Sequence, residues 1–468
     1  MFEALDAQAR LTGNQWRLIS AGAFGLVLEF LDYFLIGFIL TFVVGPWRLT
    51  IGESSIILLA SGVGAMLGAT FFGRLADQVG RRRVFMVTIG LFTASMAALI
   101  VTPDNPAVGW IYLSAFRLLI GIGAGGLYCV DLPLIQEFMP SRRRGAVSGL
   151  VTCAVPLGFL IGSALVAFAA PLVGWRGLVA VCVGLGLVTL LMRRWIPESP
   201  RWLMLQGRVD EARRSIAWAL EVDAETLPVV IAAASTPKGA YRDLLRYPRS
   251  LLVAWLSNLG MQTGYYGLTL WGPLMIVATL HVAPAKAAFY MLFVTSAALG
   301  GRITFSLLSE AIGRRTTGAV AAGGAAALLI VAGFCSAGLA GAVVGFIAVL
   351  MLIFFFGEGG FAIVGPYSAE VWPTSLRATG MGAAYGFGGL GKIIGPLGLA
   401  VIVGTSTAAA PTASHASFQI AFLYFAVWYA LASAAFVLFG VETGGRSIEA
   451  LDGILPTRKV LNPSSRTS

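Results

Sequence analysis

Residues 77–82 read Asp77-Gln78-Val79-Gly80-Arg81-Arg82, and residues 310–315 read Glu310-Ala311-Ile312-Gly313-Arg314-Arg315. In both stretches an acid is followed three residues later by glycine and then by two arginines. A second pattern recurs as Glu137-x-x-Pro140-x-x-x-Arg144 and Glu370-x-x-Pro373-x-x-x-Arg377. Asp77 to Glu310, Glu137 to Glu370 and Arg144 to Arg377 are each separated by 233 residues, close to half of the 468-residue chain. Two different motifs sharing one offset identify an internal duplication, so the chain is two similar halves read in the same direction.

Outward from these motifs the sequence is apolar. It is 57% hydrophobic and only 12% charged, with a mean hydropathy of +0.84, whereas a soluble protein carries about 25% charged residues. That balance argues against a water-soluble enzyme. Twelve apolar blocks stand out, at 18–43, 54–73, 84–103, 108–136, 146–170, 174–195, 251–279, 286–308, 316–337, 342–368, 378–404 and 416–440. A hydrocarbon core needs about 20 residues per helix, and its backbone groups must be satisfied internally, so each block reads as a helix. The expected fold class is an all-α membrane protein of twelve transmembrane helices in two pseudo-symmetric six-helix bundles. The domains are then 1–195, a charged linker at 196–250, a second bundle at 251–445 and a tail at 446–468.

The net charge of +10 is distributed by side. Arg10, Arg17, Arg81, Arg82, Arg83, Arg142, Arg143, Arg144, the run from Arg193 to Arg249, Arg314, Arg315, Arg377, Arg446, Arg458 and Lys459 fall on one side of the expected spans. The other side holds little beyond Arg48, Arg176 and Lys286. The positive-inside rule places both termini and the linker in the cytoplasm. The same asymmetry accounts for the basic pI near 9.7 without a nucleic-acid partner, since no groove-reading module is present. Cys129, Cys153, Cys182 and Cys335 lie in apolar blocks with no CxxC spacing and read as buried free thiols. A nucleophilic triad, a metal constellation and a Walker-type phosphate loop are all missing from the sequence.

Three stretches carry a family resemblance: Gly73-Arg74-x-x-Asp77-x-x-Gly80-Arg81-Arg82, Pro197-Glu198-Ser199-Pro200-Arg201-Trp202-Leu203, and Glu442-Thr443-x-Gly445-Arg446-Ser447-x-Glu449. They resemble the major facilitator superfamily over the whole chain, and within it the sugar-porter-like and metabolite:H⁺ symporter branches. The resemblance implies a non-enzymatic, cofactor-free secondary transporter of the cell membrane. Such a protein works as a monomer in the bilayer by alternating access, moving a small molecule together with protons. It also implies a cytoplasmic gate formed by Asp77, Arg81, Glu137, Arg144, Glu198, Glu310, Arg314, Glu370 and Arg377. Their acid–arginine pairs are expected to bridge the bundles when the cytoplasmic side is shut and to separate when it opens. Each pair contributes only about 1 kcal/mol where it is wet, so the network sets the bias. The alternative for the arginines is topology alone.

Ionisable residues at mid-bilayer cost at least about 2.5–3.5 kcal/mol and are functional candidates by default. The first span carries Glu29 and Asp32, and the fourth carries Arg117 and Asp131. Asp32 lies about 11 residues, or ~16 Å, below one surface, and Arg117 about 9 residues, or ~14 Å, below the same surface, so they can face each other. Leu28-Glu29-Phe30-Leu31-Asp32-Tyr33 and Phe116-Arg117-x-x-x-Gly121-x-Gly123-x-Gly125 resemble the family motifs whose Asp/Arg pair couples proton movement. A carboxyl that pairs with arginine in one state and loses it in another binds and releases a proton. Arginine stays charged throughout, which makes Asp32 the titrating member. Glu29 is an alternative or second proton site, and a static ion pair is the remaining alternative.

Lys392 lies in Gly388-Gly389-Leu390-Gly391-Lys392-Ile393-Ile394-Gly395-Pro396, where glycines leave the backbone open to close approach. A mid-membrane ammonium suits a substrate carboxylate; the alternative is a pair with Glu358 of the tenth span. The seventh span offers Gln262, Tyr265, Tyr266 and Trp271, amphipathic rings suited to a flat ligand or else to helix packing. Glu358 completes the candidate binding set. Hexose porters are expected to show more glutamine in this span and a Trp after the Gly-Pro of the tenth, where this chain has Tyr367. The pattern resembles the nicotinate, aromatic-acid and organic-ion relatives, which favours an imported carboxylate. A sugar symporter, an organic-ion facilitator or exchanger, and a non-transporting sensor are the alternatives.

Overall fold

The computed structural model describes residues 2–140, 143, 147, 150–228, 241–334, 343–373, 376–403 and 415–443. The first half forms α1 (Gly13–Trp47), α2 (Ile51–Val79), α3 (Arg81–Ile100), α4 (Pro106–Glu137), α5 (Ala154–Phe168) and α6 (Ala170–Arg193). The second forms α7 (Pro248–Leu280), α8 (Pro284–Ile312), α9 (Arg314–Phe334), α10 (Val343–Glu370), α11 and α12 (His415–Phe439). The eleventh helix is two pieces, Arg377–Gly389 and Gly391–Val403, interrupted at Leu390 among the glycines. Every expected span is represented. Among the described residues, eleven helices are long and apolar enough to cross a membrane on composition alone. The twelfth is α7, which carries the polar Asn258, Gln262 and Thr263.

The helix ends follow from local chemistry. Thr12 and Thr50 cap α1 and α2, each in a reciprocal capping box with the residue three positions on, Gln15 or Glu53. Asn105 caps α4 ahead of Pro106. The α2–α3 and α8–α9 turns are each one glycine, Gly80 at φ 104° and Gly313 at φ 85°, a backbone region that costs glycine nothing. The linker is partly folded. Its helices Pro200–Leu205 and Val209–Leu220 bury Trp202, Leu203, Ala212 and Ile216 together, with Phe2 of the short helix Phe2–Asp6 packed against them. Thr12 Oγ1 donates to the Ala219 carbonyl at 2.5 Å, tying α1 to this layer.

Two ends of the molecule follow. The linker end holds the α2–α3 and α8–α9 turns and the linker helices; the far end lies opposite. Between the bundles, α1 packs on α7, α2 on α11 and α5 on α8. In the far half these seams are tight: Ser55 Oγ donates to the Pro396 carbonyl at 3.4 Å, and a side chain on Gly37 would lie 2.7 Å from the Leu270 carbonyl.

Cys182 is a buried free thiol, as expected, but Cys153 is only half-buried. The side chain of Cys129 and all of Cys335 lie outside the described residues.

Candidate functional site

The site is built where α1, α4, α7, α10 and α11 converge. Arg117 of α4 is fully buried, and its Nη1 lies 2.6 Å from Asp32 Oδ1 on α1. Its Nε donates to Ser61 Oγ of α2 at 2.9 Å. This approach depends on a glycine seam. Side chains on Gly64 or Gly68 of α2 would run into the backbone of α4, and side chains on Gly121 or Gly125 of α4 into that of α2. Small residues at such spacing let membrane helices come together.

Lys392 of α11 sits among rings. Its ammonium is 4.7 Å from the centre of the Tyr266 ring and 5.6 Å from that of Tyr33, within the range of a cation–π attraction. Tyr33 and Tyr266 meet edge to face at 5.0 Å across the bundle interface. Tyr265 packs on Phe361 of α10 at 5.0 Å and on Phe159 of α5 at 6.0 Å. Glu29 lies within electrostatic range of both Lys392 and Asp32. Gln262 is buried with both amide atoms unpartnered, and it abuts Gly388, one turn before Lys392 on α11. Rings, an ammonium, an unsatisfied amide and a carboxylate thus share one interior site, a set of groups able to orient a flat, polar-edged ligand.

One alternative falls away. Glu358 does not pair with Lys392; it is buried against Arg302 of α8 in the same bundle, and its carboxyl also meets the Tyr265 hydroxyl at the edge of the ring cluster. Arg302 was overlooked in the sequence, although an arginine directly after Gly300-Gly301 in an apolar span is itself the signal. The gate residues pair as follows. Arg81 pairs with Glu137 at 2.5 Å, and Ser199 Oγ donates to the same carboxylate. Glu198 accepts the free backbone N–H groups that begin α3, from Arg81 at 2.9 Å and Arg82 at 3.0 Å. The second half repeats this arrangement. Arg314 pairs with Glu370, Thr443 Oγ1 donates to Glu370, and Glu442 accepts from the N–H groups of Arg314 and Arg315. Glu310 lies 3.6 Å from Arg314.

In this conformation these pairs lie inside each bundle. Each helix N-terminus presents free N–H groups and a positive dipole end, and the nearest carboxylate in its own half answers it. The side chains of Asp77 and Arg377, and all of Arg144, lie outside the described residues.

Other partners escaped the sequence. Asp131 pairs with Arg193 at the end of α6, whose guanidinium also covers the Phe85 ring at 4.1 Å. Tyr33, Ser61 and Phe361 are further members of the site. Trp271, by contrast, is buried farther along α7 and, among the described residues, is not one of the rings around Lys392.

The model of the sugar (and other) transporter family matches residues 20–455. The chain belongs to this family. Its fold is that of the major facilitator superfamily. The xylose transporter XylE from E. coli, in a partially occluded inward-open conformation, matches with a TM-score of 0.72 over 93% of this chain and all of that one, at 19% identity. Among curated relatives, the niacin transporter NiaP of Acinetobacter baylyi is 31% identical over 443 residues, covering 91% of this chain and 94% of that protein. The cis,cis-muconate transport protein of the same organism is 25% identical over 394 residues, covering 84% and 88%. The family and these relatives are transporters rather than enzymes, and this chain is a multi-pass membrane transporter of the sugar-porter type.

Proposed function

We propose that this transporter is a proton-coupled symporter that imports a small aromatic carboxylate of the nicotinate kind across the cell membrane, with its linker end in the cytoplasm. The observation that carries this reading is Lys392, an ammonium buried over the rings of Tyr266 and Tyr33 close to the buried Asp32–Arg117 pair. An aromatic carboxylate complements it: the carboxylate meets the ammonium, and the ring packs among Tyr33, Tyr266 and Phe361. The similarity to a niacin transporter supports the same class, since niacin is an aromatic acid. Asp32 is the coupling carboxyl. Protonation removes its charge and frees Arg117, so the arrangement of α1 against α4 depends on the proton. The positive-inside distribution of Lys and Arg supports the orientation.

The test is uptake of radiolabelled nicotinate into proteoliposomes under an imposed proton gradient. Lys392→Ala is expected to lose uptake at least tenfold and Lys392→Arg to retain most of it; equal uptake by the two variants would sink the anion site. Asp32→Asn is expected to lose gradient-driven accumulation and to keep nicotinate counterflow. Accumulation surviving in that variant would remove Asp32 from the coupling role.

A further inference from the structure

Lys392 is carried by the second bundle, yet much of its surroundings belongs to the first. A side chain on Gly62 of α2 would meet its Cβ and its carbonyl oxygen at 3.1 Å, so the two helices touch at this point. Its ammonium lies over Tyr33 of α1 as well as over Tyr266 of α7. Glu29 precedes Tyr33 by four residues, one turn along the same face of α1, which brings it into electrostatic range of Lys392. Glu29 and Lys392 are 7% and 8% exposed, and Glu29 Oε2 has no hydrogen-bond partner. Among the described residues, the other charged or titratable groups around Glu29 are Asp32 and Tyr33 on α1, Arg117 on α4 and Tyr266 on α7. Cys182 of α6 lies beside Asp32 and Arg117. Arg117 is held by Asp32 and Ser61, and Lys392 is the cation whose charge acts on Glu29.

We propose that Glu29 stands in for the substrate carboxylate. In the unloaded carrier its carboxylate is the counter-ion of Lys392 across the bundle interface, and an incoming substrate carboxylate replaces it as Glu29 takes a proton from solution. One carboxylate replaces another and one proton neutralises the displaced group, so the charge of the site is the same before and after. An anion arriving without the proton would set two carboxylates against one ammonium, an arrangement that like-charge repulsion disfavours. Glu29 thereby ties anion binding to a proton at the binding step, while the proton on Asp32 governs how α1 moves against α4, so accumulation needs both carboxyls. The unloaded carrier, with Lys392 already answered, can close and return. This inference rests on Lys392 as the carboxylate anchor.

Equilibrium binding of radiolabelled nicotinate to the full-length protein tests it. Wild-type affinity is expected to fall as pH rises, approaching tenfold per pH unit, the slope of one linked proton. In Glu29→Gln the affinity should be flat with pH and, in alkaline buffer, tighter than wild type. Asp32→Asn should keep the slope. In proteoliposomes Glu29→Gln should still exchange internal for external nicotinate, while net uptake falls at least tenfold because Lys392 has lost its stand-in. A wild-type slope in Glu29→Gln overturns the proposal.

If Glu29→Gln does not fold, proton uptake on ligand binding in weak buffer gives the same information. One proton per nicotinate is expected for Asp32→Asn in the range where wild-type affinity is sloped, and none overturns the proposal. If instead Lys392→Ala binds nicotinate as wild type does, the anchor itself fails, a result read without any Glu29 variant.

Discussion

Arg302 and Glu358 answer each other inside the second bundle, and the cost of burying them is offset only while both are present. Removing one partner of a buried pair typically costs about 3–5 kcal/mol, because the other is left uncompensated, whereas replacing both by apolar groups of similar size is often close to neutral. Arg302→Met should therefore lower the thermal unfolding midpoint sharply, and Arg302→Met combined with Glu358→Leu should recover most of the loss. Transport should recover with it. A double variant that folds like wild type but does not transport would return Glu358 to the substrate site. The same reasoning explains why sequence alone left the partner of Glu358 open. Acid and base in neighbouring spans are visible as letters, but which of them face each other depends on the rotation of each helix about its axis. On sequence grounds Lys392 had Glu358 as its alternative partner, and helix rotation turns that carboxylate onto Arg302 instead. Arg193 reads as one more linker arginine, yet it folds back from the last turn of α6 onto Asp131.

The helices themselves were far more legible. Long apolar windows and a repeat with a fixed offset are signals that survive any rotation, so all twelve spans and the two halves could be placed. Boundaries shifted where caps act: α1 starts at Gly13, earlier than its apolar block, because Thr12 and Gln15 form a capping box there. The glycines of α4 were legible as residues but their consequence was not. On paper Gly121-x-Gly123-x-Gly125 is a flexible-looking stretch; in the fold Gly121 and Gly125 are the contact surface with α2 that brings Arg117 within reach of Ser61, while Gly123 faces α3. A side chain on Gly125 would be driven into the Ala65 carbonyl, whereas one on Gly90 of α3 meets nothing within 4 Å. Gly125→Val should cost about 1–3 kcal/mol or more by overpacking and should reduce proton-driven uptake, because parting α2 from α4 breaks the 2.9 Å Arg117–Ser61 hydrogen bond. Gly90→Ala should stay within about 0.5 kcal/mol of wild type. Equal stability and equal uptake in the two variants would show that the glycine seam does not hold the pair.

At the scale of the whole molecule, the bundles meet most closely in the far half, so this conformation is closed at that end. The Gly37–Leu270 approach, the Ser55–Pro396 contact and the Phe168–Phe289 rings at 6.5 Å all lie on that side of the site. The acid–arginine clusters at the linker end, by contrast, brace each bundle internally. Alternating access requires α1 to part from α7 at Gly37 when the far end opens and to return afterwards. A β-branched side chain at Gly37 would meet the Leu270 carbonyl at 2.7 Å and Pro273 at 3.4 Å, which obstructs the return without touching the interior of either bundle. Gly37→Val should therefore hold the far end open. Uptake should fall at least tenfold, and a cysteine placed at Ser55 should label faster with a membrane-impermeant maleimide than the same cysteine in the Gly37 background. Binding of ligand from the far side should persist, since Lys392, Tyr33 and the Asp32–Arg117 pair lie deeper than the obstruction. Slower labelling at Ser55 in the valine variant would mean that α1 and α7 do not form the far-end closure, and the seam would then have to be carried by α2 with α11 and α5 with α8.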